Sequence, residues 1–228
     1  MVNFITNKLK KTVYIFMVFY FSCYKYDELK ECAELIDAGS IIVYPTDTVY
    51  GIGCDPLNDD SVLKLFKIKN RPLGKHLPIL TSSTENLKRL VRITKEANML
   101  INHFWPGQLT LILNKNDNSL TSKYAFDNTV AVRIPNNLCI TNLIQLTKNK
   151  LLIGTSANLT NGSPFNNINN LKTSNLNGYD AVVYGNETNG VLPSVSTIVD
   201  LVDPHNPKIV REGKIPKEQI FAVLNEFS

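Results

Sequence analysis

The chain has 228 residues, 43% apolar and 19% charged, enough for one substantial core and too apolar for a disordered protein. A net charge of +4 suits an anionic ligand but falls short of the concentrated basic stripe of a dedicated nucleic-acid binder. Four cysteines (Cys23, Cys32, Cys54, Cys139) lack Cys-x-x-Cys spacing, so neither a zinc site nor a disulfide framework is indicated and a reducing, cytoplasmic setting is the simpler home.

At the N-terminus, Lys8, Lys10 and Lys11 precede the apolar run Val13 to Cys23, a pattern similar to a signal peptide's first two regions. The run is too short to span a bilayer, no small-x-small cleavage site follows, and aromatic and β-branched residues fill it. A first strand is therefore the favoured reading, with a signal sequence as the alternative and Met17 as an alternative start. Residues 1–24 are expected to be an extension with that strand, residues 25–228 the main domain, and no membrane association is expected.

Asp27 is positioned to cap a helix running to Gly39, and Ile41 to Tyr44 reads as a buried strand. The chain then stops at Pro45, presents Thr46, Asp47 and Thr48, and is expected to turn on Gly51 and Gly53, leaving bare backbone for a ligand. Ser61 begins a second helix ending near Arg71-Pro72, which puts Lys69 and Arg71 at its end. Pro78 to Leu80, Leu109 to Leu113, Val130 to Ile134 and Leu151 to Ile153 read as strands; Glu85 to Leu90, Lys95 to Phe104 and Leu138 to Leu146 read as helices. Residues 159–178, rich in Asn, Ser and Gly, are expected to form a loop with at most a short helix, suited to a lid. Strands at Val182 to Tyr184, Thr197 to Val199 and Ile209-Val210 precede a terminal helix opened by Pro216. The mixture argues for an α/β layered fold without a second-domain linker.

Lys69, Arg71 and Lys75 crowd three cations into seven residues, which suits a polyanion such as a nucleoside triphosphate; a solvated helix end is the bland alternative. Arg133 interrupts the apolar run Val130 to Ile134, so it needs a buried partner, either a substrate carboxylate or an internal acid such as Asp47. Thr46 and Thr48 can contact a ligand or cap the strand end. Only five arginines occur (Arg71, Arg89, Arg92, Arg133, Arg211) against many lysines, which favours them as functional candidates. His76, His103 and His205 lack metal-ligand companions, although His76 stands just after the basic motif, and Cys54 has no nearby base.

Six segments in order resemble the YrdC-like family, the threonylcarbamoyl-AMP synthases. They are Pro45-Thr46-Asp47-Thr48-Val49-Tyr50-Gly51-Ile52-Gly53, Lys69-Asn70-Arg71-Pro72, Trp105-Pro106-Gly107-Gln108-Leu109-Thr110, Val130-Ala131-Val132-Arg133-Ile134-Pro135, Thr155-Ser156-Ala157-Asn158, and Ser196-Thr197 with Arg211-Glu212-Gly213. The resemblance implies a twisted mixed sheet flanked by helices around a basic concave cavity, in a short form without the extra C-terminal domain. It implies a nucleotidyltransferase joining L-threonine, bicarbonate and ATP, with Mg²⁺ on the triphosphate and no metal site of its own. Lys69 and Arg71 would be catalytic and, with Lys75, Asn158 and Arg211, hold ATP; Thr46, Thr48, Arg133, Ser156 and Ser196 would hold threonine. A tRNA threonylcarbamoyl transferase complex would take the product downstream. Departures are Ile52 for the usual Leu, Lys75-His76-Leu77-Pro78 for Lys-Pro-Leu, and Glu212 where Pro is common.

Two other readings compete. A carbamoyl-adenylate former of the hydrogenase-maturation type shares this domain but needs zinc-finger-like segments. A noncatalytic RNA-binding module would use the same basic concavity, with weak RNA binding as its trace, yet Lys69, Arg71 and Lys75 carry no interleaved aromatics.

Overall fold

The computed structural model describes residues 3–7, 14–75, 77–117, 122–159, 162–173, 175–185 and 194–225. Alternation of side chains across strands organises everything that follows. In the first sheet, β1 (Asn3–Asn7), β2 (Tyr14–Ser22), β3 (Ile42–Tyr44), β4 (Gly51–Gly53), β9 (Thr155–Ser156) and β10 (Ala181–Tyr184) lie in the order β1-β2-β10-β3-β4-β9. In the second, β5 (Ile79–Thr81), β6 (Leu109–Asn114), β7 (Thr129–Arg133), β8 (Leu151–Ile153), β11 (Thr197–Asp200) and β12 (Lys208–Arg211) lie in the order β12-β11-β6-β7-β5-β8. Both sheets mix parallel and antiparallel pairs.

The run Ile41-Ile42-Val43-Tyr44 is apolar throughout because both its faces are buried. Ile41 and Val43 enter the main core, whereas Ile42 and Tyr44 join a second cluster beneath α1 (Tyr26–Asp37) and α5 (Leu138–Leu146). In β6, Leu109, Leu111 and Leu113 face the main core, together with Leu100 of α4 (Lys95–Phe104) and Ile220 of α6 (Lys217–Asn225). The alternate residues of β6 are left to face the other way.

Local chemistry sets the helix starts, and twice it differs from the sequence expectation. At α1 the N-cap position is Lys25, whose side chain makes no cap bond; Asp27 lies inside the first turn. Glu28 reaches back to accept the Ser22 amide at 2.6 Å, fastening the helix to the end of β2. The helix stops at Gly39 with φ +96°, as expected. α2 (Asp59–Ile68) begins before Ser61, because the Asn58 side chain accepts the Ser61 amide; the Ser61 hydroxyl instead donates to the Gly39 carbonyl. A short α3 (Thr84–Lys88) precedes α4.

Gly51 and Gly53 do not form a turn. They belong to β4, antiparallel to β3, and neither has positive φ. Their role is close approach: a Cβ on Gly51 would meet the Tyr44 ring at 2.5 Å, and one on Gly53 would sit 1.8 Å from the Ile153 carbonyl oxygen. The expected lid is fastened down as well. Tyr50 donates its amide to the Phe165 carbonyl, the two rings stack at 5.7 Å, and Leu171 and Leu176 are buried around a 3-10 helix at Ile168–Thr173.

Cys23 and Cys139 form a disulfide between the end of β2 and the first turn of α5, contrary to the reading of four unpaired thiols. Their Cα atoms are 5.2 Å apart because α5 packs on α1, which follows Cys23 directly. Cys32 and Cys54 are free and buried; burial pushes the Cys32 thiol up to about 12 and the Cys54 thiol up as well, so neither is a ready nucleophile.

Two outcomes are expected. Thiol titration of the unreduced, denatured protein yields two thiols, and reduction lowers stability in urea by about 2–4 kcal/mol; four thiols before reduction would refute the bridge. Gly53→Ala lowers unfolding stability by about 3 kcal/mol, because a backbone carbonyl cannot step aside for the new methyl; an unchanged urea midpoint would refute the close approach.

Candidate active site

The face of the second sheet turned away from the helices forms the floor of a cavity of about 310 Å³, at the small end for ligand sites. Thr110 and Ile112 of β6, Ala131 and Arg133 of β7, and Ile198 of β11 are the alternates of core residues on the same strands. The first sheet supplies the opposite wall through Tyr44, Thr46, Thr48 and Gly51. Both sheets therefore build the site, with polar groups gathered around an apolar floor.

Arg133 is buried, and three neighbours hold it. Nε donates to the Gly107 carbonyl at 2.8 Å, Nη1 to Thr48 Oγ1 at 3.3 Å, and Nη2 to Asp47 Oδ1 at 2.6 Å. The internal acid named from sequence as one alternative is thus present. The Trp105-Pro106-Gly107 turn explains part of this arrangement. Its first peptide bond is cis, Trp105 Nε1 donates to the Leu109 carbonyl, and Gly107 is bonded to the Ile134 carbonyl, which aims its own carbonyl at Arg133. Three of the five guanidinium N–H donors are engaged, and two remain.

The hydroxyls before β4 are ordered by one chain of bonds. Thr46 Oγ1 donates to the Val49 carbonyl and accepts the Thr48 amide, so the 2.9 Å contact with Thr48 is donated by Thr48. Thr48 can then accept from Arg133. Thr46 is a turn brace, and Thr48 links that brace to the guanidinium.

Arg211 and Ser196 form a second polar corner. Arg211 donates to the Ser196 carbonyl from Nε and Nη2 at 3.1 and 2.9 Å, and to its hydroxyl at 3.1 Å; Ser196 in turn contacts Thr110 Oγ1 at 2.9 Å. Burial holds the guanidinium below its ordinary pKa, and the nearby Arg133 guanidinium adds to the shift. Among the described residues no carboxylate pairs with Arg211. Arg71 also lines the cavity; its Nε donates to the Lys75 carbonyl, and burial lowers its pKa.

Of the ten residues singled out from sequence, Thr46, Thr48, Arg71, Arg133, Ser156, Ser196 and Arg211 line this cavity. Lys69, Lys75 and Asn158 do not. Lys69 is 2% exposed, and its Nζ donates to the Ser156 and Asn158 carbonyls at 2.5 and 2.7 Å. Burial, then Arg71, lowers its pKa to about 8. The Asn158 side chain donates to the Leu159 and Gly162 carbonyls. Lys75 is exposed, and His76 lies outside the described residues. Sequence reasoning missed Thr110 and Tyr44. The period-two pattern of Leu109 to Leu113 could have found the first, and the pairing of a bulky aromatic with glycines the second. No group of three His, Cys, Asp or Glu side chains able to hold a metal occurs among the described residues, nor does any helix long and apolar enough to cross a membrane.

This geometry can be set beside known proteins. The Sua5/YciO/YrdC family model, described as "Telomere recombination", matches residues 34–213. A threonylcarbamoyl-AMP synthase of Pyrococcus abyssi is 32% identical over 200 residues, covering 87% of this chain and 58% of that protein. One of Bacillus subtilis is 32% identical over 201 residues, covering 86% and 56%. The chain therefore spans a little over half the length of these relatives. The crystal structure of P. abyssi Sua5 complexed with L-threonine superimposes with a TM-score of 0.81 at 29% identity, covering 92% of this chain and 61% of that one. Escherichia coli YciO gives 0.73 at 22% identity, covering 89% and 98%, which speaks for the fold alone. With a family model covering most of its length and the same two-sheet fold, the chain belongs to the Sua5/YciO/YrdC family.

Proposed function

We propose that this chain is an L-threonylcarbamoyladenylate synthase, a nucleotidyltransferase that uses L-threonine, bicarbonate and ATP. The observation that carries the reading is the Arg211 corner: a guanidinium on the wall of the cavity whose hydrogen bonds, among the described residues, go to neutral Ser196 atoms. Such a cation suits an anion brought from outside. The named relatives and the L-threonine complex of a similar structure support the choice of reaction.

In this reading the threonine nitrogen attacks the bicarbonate carbon and water leaves, giving a carbamate. One carbamate oxygen then attacks the α-phosphorus of ATP, the bond to the β-phosphate breaks, and pyrophosphate departs. The two free donors of Arg133, with Thr48, Ser156 and Ser196, read the threonine carboxylate and hydroxyl. Arg71 and Arg211 approach the phosphates from opposite walls, and Mg²⁺ enters as a companion of the triphosphate. Lys75 and Asn158 serve the nucleotide from outside the cavity wall. The fixed positions of these groups favour reaction by proximity, since three reactants must meet in one place.

The catalytic unit is residues 25–228 with residues 1–24 as an extension, although β2 of that extension is integral to the first sheet through its parallel pairing with β10. The setting is cytoplasmic, beside the tRNA-modifying transferase that takes the labile product; the Cys23–Cys139 bridge is the observation that weighs against that setting.

Pyrophosphate release from ATP and bicarbonate is expected to depend on L-threonine. Arg211→Gln should lower that rate at least about tenfold, the loss expected when one charge-assisted phosphate contact is removed. Folded wild type that releases no pyrophosphate with threonine would overturn the reading. Salt-sensitive tRNA binding by such an inactive protein would favour an RNA-binding module instead.

A further inference from the structure

We propose that Lys69 is a positioning residue: its ammonium ties the carbonyls of Ser156 and Asn158 together and so holds the 154–158 turn against the cavity, without touching the substrate phosphates. The role within catalysis rests on the adenylate-forming reading above; the contact itself does not.

Three observations converge. Lys69 is the C-cap residue of α2, and its side chain crosses to the first sheet, where two backbone carbonyls receive it. It is almost wholly buried and does not line the cavity, whereas Arg71, two residues on, does. The turn it grips carries Gly154, Thr155 and Ser156, all of which line the cavity.

Besides this strut the turn has a few ties: Gly154 donates its amide to the Pro78 carbonyl, and the Asn158 side chain donates to the Leu159 and Gly162 carbonyls. β9 is two residues long, and its pairing with β4 is confined to Gly51↔Ser156 and Ile52↔Thr155. Ala157 adds one amide bond to the Tyr50 carbonyl. The Ser156 and Asn158 carbonyls both point at Lys69; Ser156 also accepts the Asn158 amide at 2.9 Å, so loss of the ammonium takes one of its two donors and leaves the buried Asn158 carbonyl without the donor described for it, which would loosen the turn. Burial, then the neighbouring Arg71 guanidinium, depresses the lysine pKa, in keeping with its enclosed position.

Hydrogen exchange of wild type, Lys69→Gln and Arg71→Gln, followed on peptides covering 154–159, tests the strut without any assay of activity. Lys69→Gln should exchange at least about tenfold faster there and nowhere else, and Arg71→Gln should match wild type. ATP affinity measured across KCl concentrations supplies the second readout, since losing a direct phosphate contact flattens the salt dependence. That dependence should flatten in Arg71→Gln and keep its wild-type slope in Lys69→Gln, while turnover in Lys69→Gln falls by about a hundredfold through misplacement of the wall. Unchanged exchange at 154–159, or a flattened slope in Lys69→Gln, would overturn the proposal. Should Lys69→Gln not fold, acylation of wild-type lysines decides: Lys69 should react far more slowly than the exposed Lys88 with or without ATP, and a fast-reacting Lys69 that ATP protects would overturn it. Wild type that binds no ATP would remove the adenylate reading yet leave the exchange comparison to decide the strut.

Discussion

The structure depends on the place where the two sheets touch backbone to backbone. Gly53 brings β4 against the Ile153 carbonyl of β8, the Ile153 amide donates to the Cys54 carbonyl, and the buried Tyr44 hydroxyl donates to Ile153 at 2.5 Å. Burial raises the Tyr44 phenol pKa, which favours the protonated, donating form of this hydroxyl. At Gly53 a Cβ would meet the facing backbone, whereas at Gly51 and Gly154 it would strike side chains packed against the seam, the Tyr44 ring and Leu80. The seam joins two open sheets into one body and leaves the cavity beside it.

Once the sheets are joined, strand alternation decides which residues can be functional. On β6, β7 and β11 one set of side chains packs beneath helices and the other meets the cavity. This is also why the sequence was readable in one respect and opaque in another. The apolar runs marked the strands correctly, since both faces are covered. An apolar residue such as Ile112, however, does not say which face meets the cavity; on β6 the one polar break, Thr110 between Leu109 and Leu111, carries that information.

The charged residues show a similar division. Arg133 stood out as a cation in an apolar strand, and the need for a partner was legible. Its partner was legible only as one of two alternatives, Asp47 or a substrate carboxylate, because 86 positions separate Asp47 from Arg133 and the fold alone brings them together. The glycines of β4 carried a signal of close approach: Gly53 meets the protein's own backbone, whereas Gly51 packs on the Tyr44 ring and lines the cavity. Cys23 and Cys139 are 116 residues apart, and nothing in their spacing announces a pairing that arises from the packing of α5 on α1. The Asn-rich stretch suggested freedom, yet Phe165, Leu171 and Leu176 are three apolar anchors within it.

The position of Lys69 follows from the same logic. Helix α2 ends at Ile68, and Asn70 takes a left-handed conformation with φ 49°, so residues 69 and 71 leave the helix end in different directions. One cation turns inward to the carbonyls of the neighbouring turn, and the other reaches the cavity. Lys69 and Arg71 thus divide into a buried and a cavity-lining member. With the roles proposed for them, one of two cations spaced one apart builds the wall and the other uses it, because the helix end sends them to different places.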